Sequence, residues 1–225
     1  MSPELQIIVL SLQVSVVATV IILPLGIALG WVLARKSFYG KSLLDALINV
    51  PLVLPPVVTG YFLLLTLGPS GYIGSYLNDY LGITLAFDWS AAVIAAAVVS
   101  LPLLVRAVRV AIDAVDPQLE EAARMLRAPE HDILWRITLP LAANGIIAGA
   151  VLAFARALGE FGATIVFASN IPGKTQTIPL AIFTFLQQPD GEGKVQVLVV
   201  VSIVFAYLSM LLNEWLLRRM KYVAD

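Results

Sequence analysis

Glu121-Ala-Ala-Arg-Met-Leu-Arg-Ala-Pro-Glu-His-Asp-Ile-Leu-Trp-Arg-Ile-Thr-Leu-Pro140 is a charged, amphipathic island in a chain that is otherwise almost wholly apolar. A segment of this polarity has to lie in water, so the apolar stretches on either side of it read as separate membrane crossings. Just upstream, Asp116 and Pro117 open a helix. Aspartate suits the N-cap, and proline at the first helical position gives up only an N–H that would be unpaired anyway. Glu120 and Glu121 follow in the first turns, where the helix dipole favours negative charge. Leu119, Ala122, Ala123 and Leu126 recur at i, i+3, i+4 and i+7 and form one apolar stripe. Its alanines keep the stripe narrow, which gives little area for burial among lipid headgroups and lets the groove of another protein approach closely. Pro129 discourages helix beyond Ala128, and a second short segment through Trp135 leads into the next span.

Of the 225 residues, 60% are hydrophobic and only 13% charged, about half the charged share of a soluble domain. Mean hydropathy is +0.91. The apolar runs predict five spans, at about 6–34, 43–67, 89–110, 138–159 and 195–217. Pro24 and Gly26 interrupt the first, and Pro51, Pro55 and Pro56 the second, at positions suited to burial where neighbouring helices satisfy freed backbone groups. The stretch 160–187 stays open. Phe161 to Ile171 could prolong the fourth span and Ile178 to Leu186 could form a short re-entrant helix, which allows a sixth segment. The first apolar run is too long for a cleaved signal and lacks a positive n-region, so it is expected to remain as a span.

Basic residues set the orientation. With 35–41, 106–136 and 218–225 on one side, that side holds Arg35, Lys36, Lys41, Arg106, Arg109, Arg124, Arg127, Arg136, Arg218, Arg219 and Lys221; the other holds Lys174 and Lys194. Eleven against two predicts an outer N-terminus, with the island and the C-terminus in the cytoplasm. The outer segments 68–88 and 170–194, with Tyr76, Tyr80 and Trp89, read as loops with interfacial aromatic anchors or as a docking surface for an external protein.

Several chemistries are excluded. A net charge of −1 gives no basic surface for nucleic acid, there is no cysteine for disulfides or thiolates, and the lone His131 rules out a multi-histidine metal site within one chain. Gly173-Lys174-Thr175 copies the end of a phosphate-binding loop, but position 168 is alanine where the earlier glycine belongs. Neither a nucleophile elbow nor a His-Glu-x-x-His motif is present. The chain is expected to be no enzyme, to need no cofactor, and to carry no regulatory domain after Arg219. One membrane domain is expected over residues 1–225, with its water-exposed loop at about 113–137.

Within the fourth span, Arg156 and Glu160 are four residues apart and share a helix face. Charges at membrane depth face a bundle interior, a partner or a water path. The pair either locks two helices together or lends an anion route a positive potential that Glu160 tempers. Gly145 and Gly149 form a Gly-x-x-x-Gly that invites close packing, across a dimer seam or within one subunit.

Glu121-Ala122-Ala123 followed by Ile137-Thr-Leu-Pro140 resembles the EAA loop of ABC-transporter permeases. Asn49-Val-Pro-Leu-Val-Leu-Pro-Pro-Val-Val-Thr-Gly-Tyr61 and Phe154-Ala-Arg-Ala-Leu-Gly-Glu-Phe-Gly-Ala-Thr164 resemble bacterial molybdate permeases, and the likeness extends through Ser169-Asn-Ile-Pro-Gly173 and Thr177-Ile-Pro179. The Leu-Gly-Glu-Phe-Gly element is also similar to sulfate and tungstate permeases. The resemblance implies an all-α polytopic bundle of the type I importer class in a bacterial inner membrane. It implies a homodimer surrounded by membrane lipid, an external oxyanion-binding protein and a cytoplasmic ATPase dimer gripping Glu120, Glu121, Ala122, Ala123, Leu126 and Arg127. Arg156, Glu160, Pro55 and Pro56 become candidates for the translocation path. An ATP-independent channel or carrier, or a membrane enzyme, is the competing class. One residue departs from the pattern: Arg127 stands where the family usually has glycine. Glycine there would terminate the helix in the left-handed conformation, so arginine is expected to end it differently or to pair with an acidic group of a partner.

Overall fold

The computed structural model describes residues 2–224, and for 219–224 the backbone only; Arg219 and Lys221 of the charge count lie outside the described side chains. Among the described residues the chain is helical, with no strand. It opens with α1 (Pro3–Arg35), 33 residues long, capped by Ser2, whose Oγ accepts from Leu5 N. The hydroxyls of Ser11, Ser15 and Thr19 each donate to the carbonyl four residues back at 2.7–2.8 Å, so none is left unpaired at membrane depth. Ser11 Oγ also accepts from Ile178 N at 2.8 Å and so fastens α1 to a later loop.

The prolines do interrupt the second expected span: residues 43–67 fall in two helices, α2 (Lys41–Val53) and α3 (Pro56–Leu67), bent by 111°. Pro55 forces Leu54 into extended backbone (φ −66°, ψ 144°), and neither Pro55 nor Pro56 has an N–H to carry the helix on. Pro51, by contrast, is accommodated inside α2. After the short helix α4 (Gly74–Leu81) comes α5 (Trp89–Asp113), the axis of the fold. Its apolar window is 67% buried, against 28% for α1.

Small residues let the neighbours of α5 come close. A side chain on Gly26 would run into Leu104, one on Gly30 into Val108, and one on Gly149 into Ala107. Gly149 of the Gly-x-x-x-Gly therefore packs within the chain. A polar excursion, α6 (Pro117–Met125) and α7 (Glu130–Ile133), is followed by a π-helical turn over Leu134–Thr138 and by α8 (Leu139–Leu158). From Glu130 to Leu158 the helix is continuous for 29 residues, so the helix that carries the fourth span begins within the island, while α8 itself keeps close to the expected 138–159.

Neither candidate for a sixth crossing spans anything. The helices α9 (Gly162–Phe167) and α10 (Ile178–Phe185) have 6 and 8 residues. At about 1.5 Å per residue they cover less than half of the hydrocarbon core. The chain ends in α11 (Glu192–Ala224), whose apolar window is only 6% buried, and Asn213 ties it to α8 by donating to Ala148 O at 2.9 Å. Among the described residues four helices are long and apolar enough to cross, and five if the bent pair counts as one span.

Candidate functional site

The island is built as a short exposed helix held by a buried charge. Asp116 caps α6, its Oδ1 accepting from Gln118 N at 2.9 Å, as the Asp-Pro signal predicts. One residue on, the chain departs from expectation. Glu120 is not on the contact face but 3% exposed, turned in toward the membrane domain. Its Oε1 accepts from Arg35 Nε at 3.0 Å and from Thr138 Oγ1 at 2.8 Å, and its Oε2 lies 3.6 Å from Arg124 Nη2. Arg35 also donates to Ile112 O and Val115 O at 2.9 and 3.1 Å, carbonyls at and just past the end of α5, where the helical ladder gives out. One arginine thus joins the end of α1, the end of α5 and the first turn of α6.

The rest of the stripe faces water. Glu121, Ala122, Leu126 and Arg127 are exposed and Ala123 is half-buried. Met125, which the spacing argument left out, is the most open of the large apolar groups here at 85%, with Leu126 at 84% and Leu119 at 47%. Its position after the last alanine is the signal that could have found it: once Leu126 becomes the helix cap, Met125 stands at the exposed end. Arg124 is clamped to Glu130, Nε to Oε1 at 2.7 Å, which holds α6 against α7 and raises the arginine's pKa through that hydrogen bond.

Arg127 corrects the sequence argument. It does not end the helix by another route; it adopts φ +62°, the left-handed conformation expected of glycine. Ala128 N donates to Ala123 O at 3.1 Å and Arg127 N to Arg124 O at 2.9 Å, the paired bonds of a Schellman terminus. A side chain in this region costs about 1–2 kcal/mol. Arg127→Gly is expected to raise stability by up to about 1 kcal/mol, after the extra unfolded-chain entropy of glycine is deducted; thermal unfolding of the purified protein measures it, and a lower midpoint would refute the strain.

The second constellation joins the two proline- and glycine-rich segments. Glu160 is 3% exposed. Its Oε2 pairs with Arg156 Nη1 at 2.7 Å and its Oε1 accepts from Ala163 N at 2.8 Å, closing the first turn of α9. A side chain on Gly162 would strike Pro56, and one on Gly60 would strike Ala163, so the start of α3 lies directly against α9. Pro56 is half-buried in this seam while Pro55 stays exposed at the bend. Through Glu160 the pair connects the end of α8 to the first turn of α9.

At the other end of the bundle, Lys174 bonds Asp88 at 2.9 Å and lowers that carboxyl's pKa, tying the segments 68–88 and 170–194 together. Thr175 is fully buried, bonded to Ile171 N and Ser169 O. The apparent phosphate-loop fragment has structural work of its own.

Comparison with known proteins agrees with this geometry. Residues 13–222 match the family model for the binding-protein-dependent transport system inner membrane component. The molybdenum transport system permease protein ModB of Escherichia coli K12 is 55% identical over 216 residues, covering 96% of this chain and 94% of that one. ModB of Haemophilus influenzae is 50% identical, over 97% and 95%. Among solved structures, an inward-facing MetNI methionine ABC transporter superposes with a TM-score of 0.76 at 14% identity, covering 98% of this chain and 97% of that one, which speaks to the fold alone.

Proposed function

This chain belongs to the family of binding-protein-dependent transport system inner membrane components, and from that we propose that it is the membrane-spanning subunit of an ATP-driven molybdate importer. The observation that carries the substrate is 55% identity across nearly the whole length of a molybdenum permease. The chain crosses the membrane several times and is a transport component rather than an enzyme. The family implies a separate ATPase and a substrate-binding protein.

The finer reading has α6 as the plug for the ATPase. Its support is an exposed apolar end (Leu119, Ala122, Met125, Leu126) beside Glu121 and Arg127, set on a rigid base. We assign contact to Glu121, Ala122, Ala123, Leu126 and Arg127, and to Glu120 the anchoring of the plug. Two copies are proposed to form the path between them, with the apolar faces of α11 and α3 meeting lipid or the second copy. The excess of basic residues beside α6 supports a cytoplasmic island and an outer N-terminus. Arg156, Glu160, Pro55 and Pro56 are proposed to shape the wall of the path near the bend. ATP acts through differential contact: nucleotide-driven closure of the ATPase favours one arrangement of the two plugs, and each plug carries α1 and α5 with it through Arg35.

Co-purification with the ATPase and uptake of labelled molybdate by reconstituted vesicles test this. Glu121→Lys and Leu126→Asp are expected to weaken association with the ATPase at least tenfold, about 1.4 kcal/mol or more, and to stop uptake. If both variants associate and transport like the parent, the docking role of α6 is wrong. Competition by sulfate and tungstate measures how far the assembly selects molybdate.

A further inference from the structure

Among the described side chains, Arg106 is the exception among the arginines of the long apolar helices. Arg35 is paired with Glu120, Arg109 with Asp45 and Asp113, Arg156 with Glu160 and Arg218 with Glu214. Arg106 is exposed, on the same helix as Arg109, yet no carboxylate among the described residues stands within ion-pair distance of it. It lies seven residues before Asp113, the last residue of α5, which is about 10 Å along the helix axis. A guanidinium at that depth is costly unless it meets an anion or a water path.

Two recesses meet at this side chain. One is a polar cavity of 250 Å³ between α1, α2 and α5, walled by Asp45, Asn49, Pro102 and Arg109. The other is an apolar groove of 360 Å³ between α5, α8 and α11. In the polar cavity the carboxylate is already engaged: Asp45 Oδ2 accepts from Arg109 at 3.2 Å and Oδ1 from Asn49 Nδ2 at 3.0 Å. What remains unspent is the planar fork of Arg106, five N–H donors with no acceptor among the described residues. That fork matches two oxygens of a tetrahedral oxyanion in a way that a lysine would not.

We propose that Arg106 is a binding site for a tetrahedral oxyanion group at the end of the path nearest the coupling loop. Two sources present that chemistry. A free transported anion enters the polar cavity, an assignment that rests on the oxyanion-import reading. A phospholipid phosphate reaches the same guanidinium with its acyl chain in the apolar groove. Asp45 next to the site keeps a free anion weakly held, and weak holding is what release into the cytoplasm needs.

The test uses the assembled permease–ATPase complex without binding protein. In phosphatidylcholine nanodiscs it is titrated with molybdate and tungstate; in mixed nanodiscs, native mass spectrometry counts retained phosphatidylglycerol. Arg106→Gln is expected to weaken one of the two at least tenfold, and Arg106→Lys, which keeps the charge without the fork, to recover only part. Loss of free-anion binding assigns the transported anion. Loss of retained phosphatidylglycerol with anion binding unchanged assigns the headgroup. A melting midpoint shows whether Arg106→Gln is folded, and if it is not, Arg106→Lys decides alone. If the parent complex binds neither ligand, or the variants bind both like the parent, the proposal is overturned. A complex that binds molybdate through Arg106 but imports none keeps the site and removes the import reading instead.

Discussion

Glu120→Ala is expected to destabilise the protein by about 3–5 kcal/mol, the cost of leaving a buried charge without its partner, and to abolish ATP-driven uptake. The carboxylate is 3% exposed and answers three donors, Arg35, Thr138 and Arg124. Removing it strands the Arg35 side chain, which is 15% exposed, although its bonds to Ile112 O and Val115 O hold the loss toward the lower end of that range. The exposed end of α6 is untouched by the change, so on the proposed docking the ATPase is expected to associate as before, while the link from α6 to α1 through Arg35 is lost. Thermal unfolding and the ratio of uptake to ATP hydrolysis check the two halves separately. An unchanged melting midpoint would show that the buried pair contributes nothing. A normal uptake ratio would show that force reaches the membrane domain by another connection.

Glu160→Ala is expected to cost a similar amount, about 3–5 kcal/mol, for a different reason. Here the lost carboxylate both neutralises Arg156 at 2.7 Å and caps Ala163 N at 2.8 Å. The first turn of α9 then opens, and with it the seam where Gly60 and Gly162 lie against Ala163 and Pro56. Replacing both charges with apolar groups, Arg156→Met with Glu160→Leu, is expected to recover most of the loss, because no charge remains stranded. Uptake by the recovered double variant then separates two roles. If transport returns with stability, the pair is a lock; if stability returns and transport does not, the arginine belongs to the anion route.

Much of the architecture was legible because the bilayer leaves so few options. Apolar runs gave the long helices within a few residues, and Asp116-Pro117 and Pro129 marked the start and end of the island helix. The failures share a physical origin. Prolines 51, 55 and 56 look alike in sequence, yet one rides inside a helix and the other two turn the chain by 111°, since only a consecutive pair removes two neighbouring donors. Glu120 read as dipole compensation because its partner Arg35 is 85 residues away, and spacing says nothing about contacts at that range. Arg127 was misjudged because a family expectation about glycine was taken as a rule about the backbone. The backbone kept the left-handed turn and the side chain bore the strain. Gly145 and Gly149 announced close packing but could not say with what; for Gly149 the answer, Ala107, belongs to α5.

The bend between α2 and α3 has a consequence for hydration. In an unbroken helix the carbonyls of Pro51 and Leu52 would accept from residues 55 and 56, both of which are prolines without an N–H. Two strong acceptors are thereby left open in a segment otherwise made of leucine and valine, and hydrocarbon cannot satisfy them. Leu52 and Pro55 are exposed there, so the two carbonyls lie open to whatever surrounds the chain. The bend is expected to draw a hydrogen-bond donor from outside the segment, from water or from a polar group of a neighbouring chain.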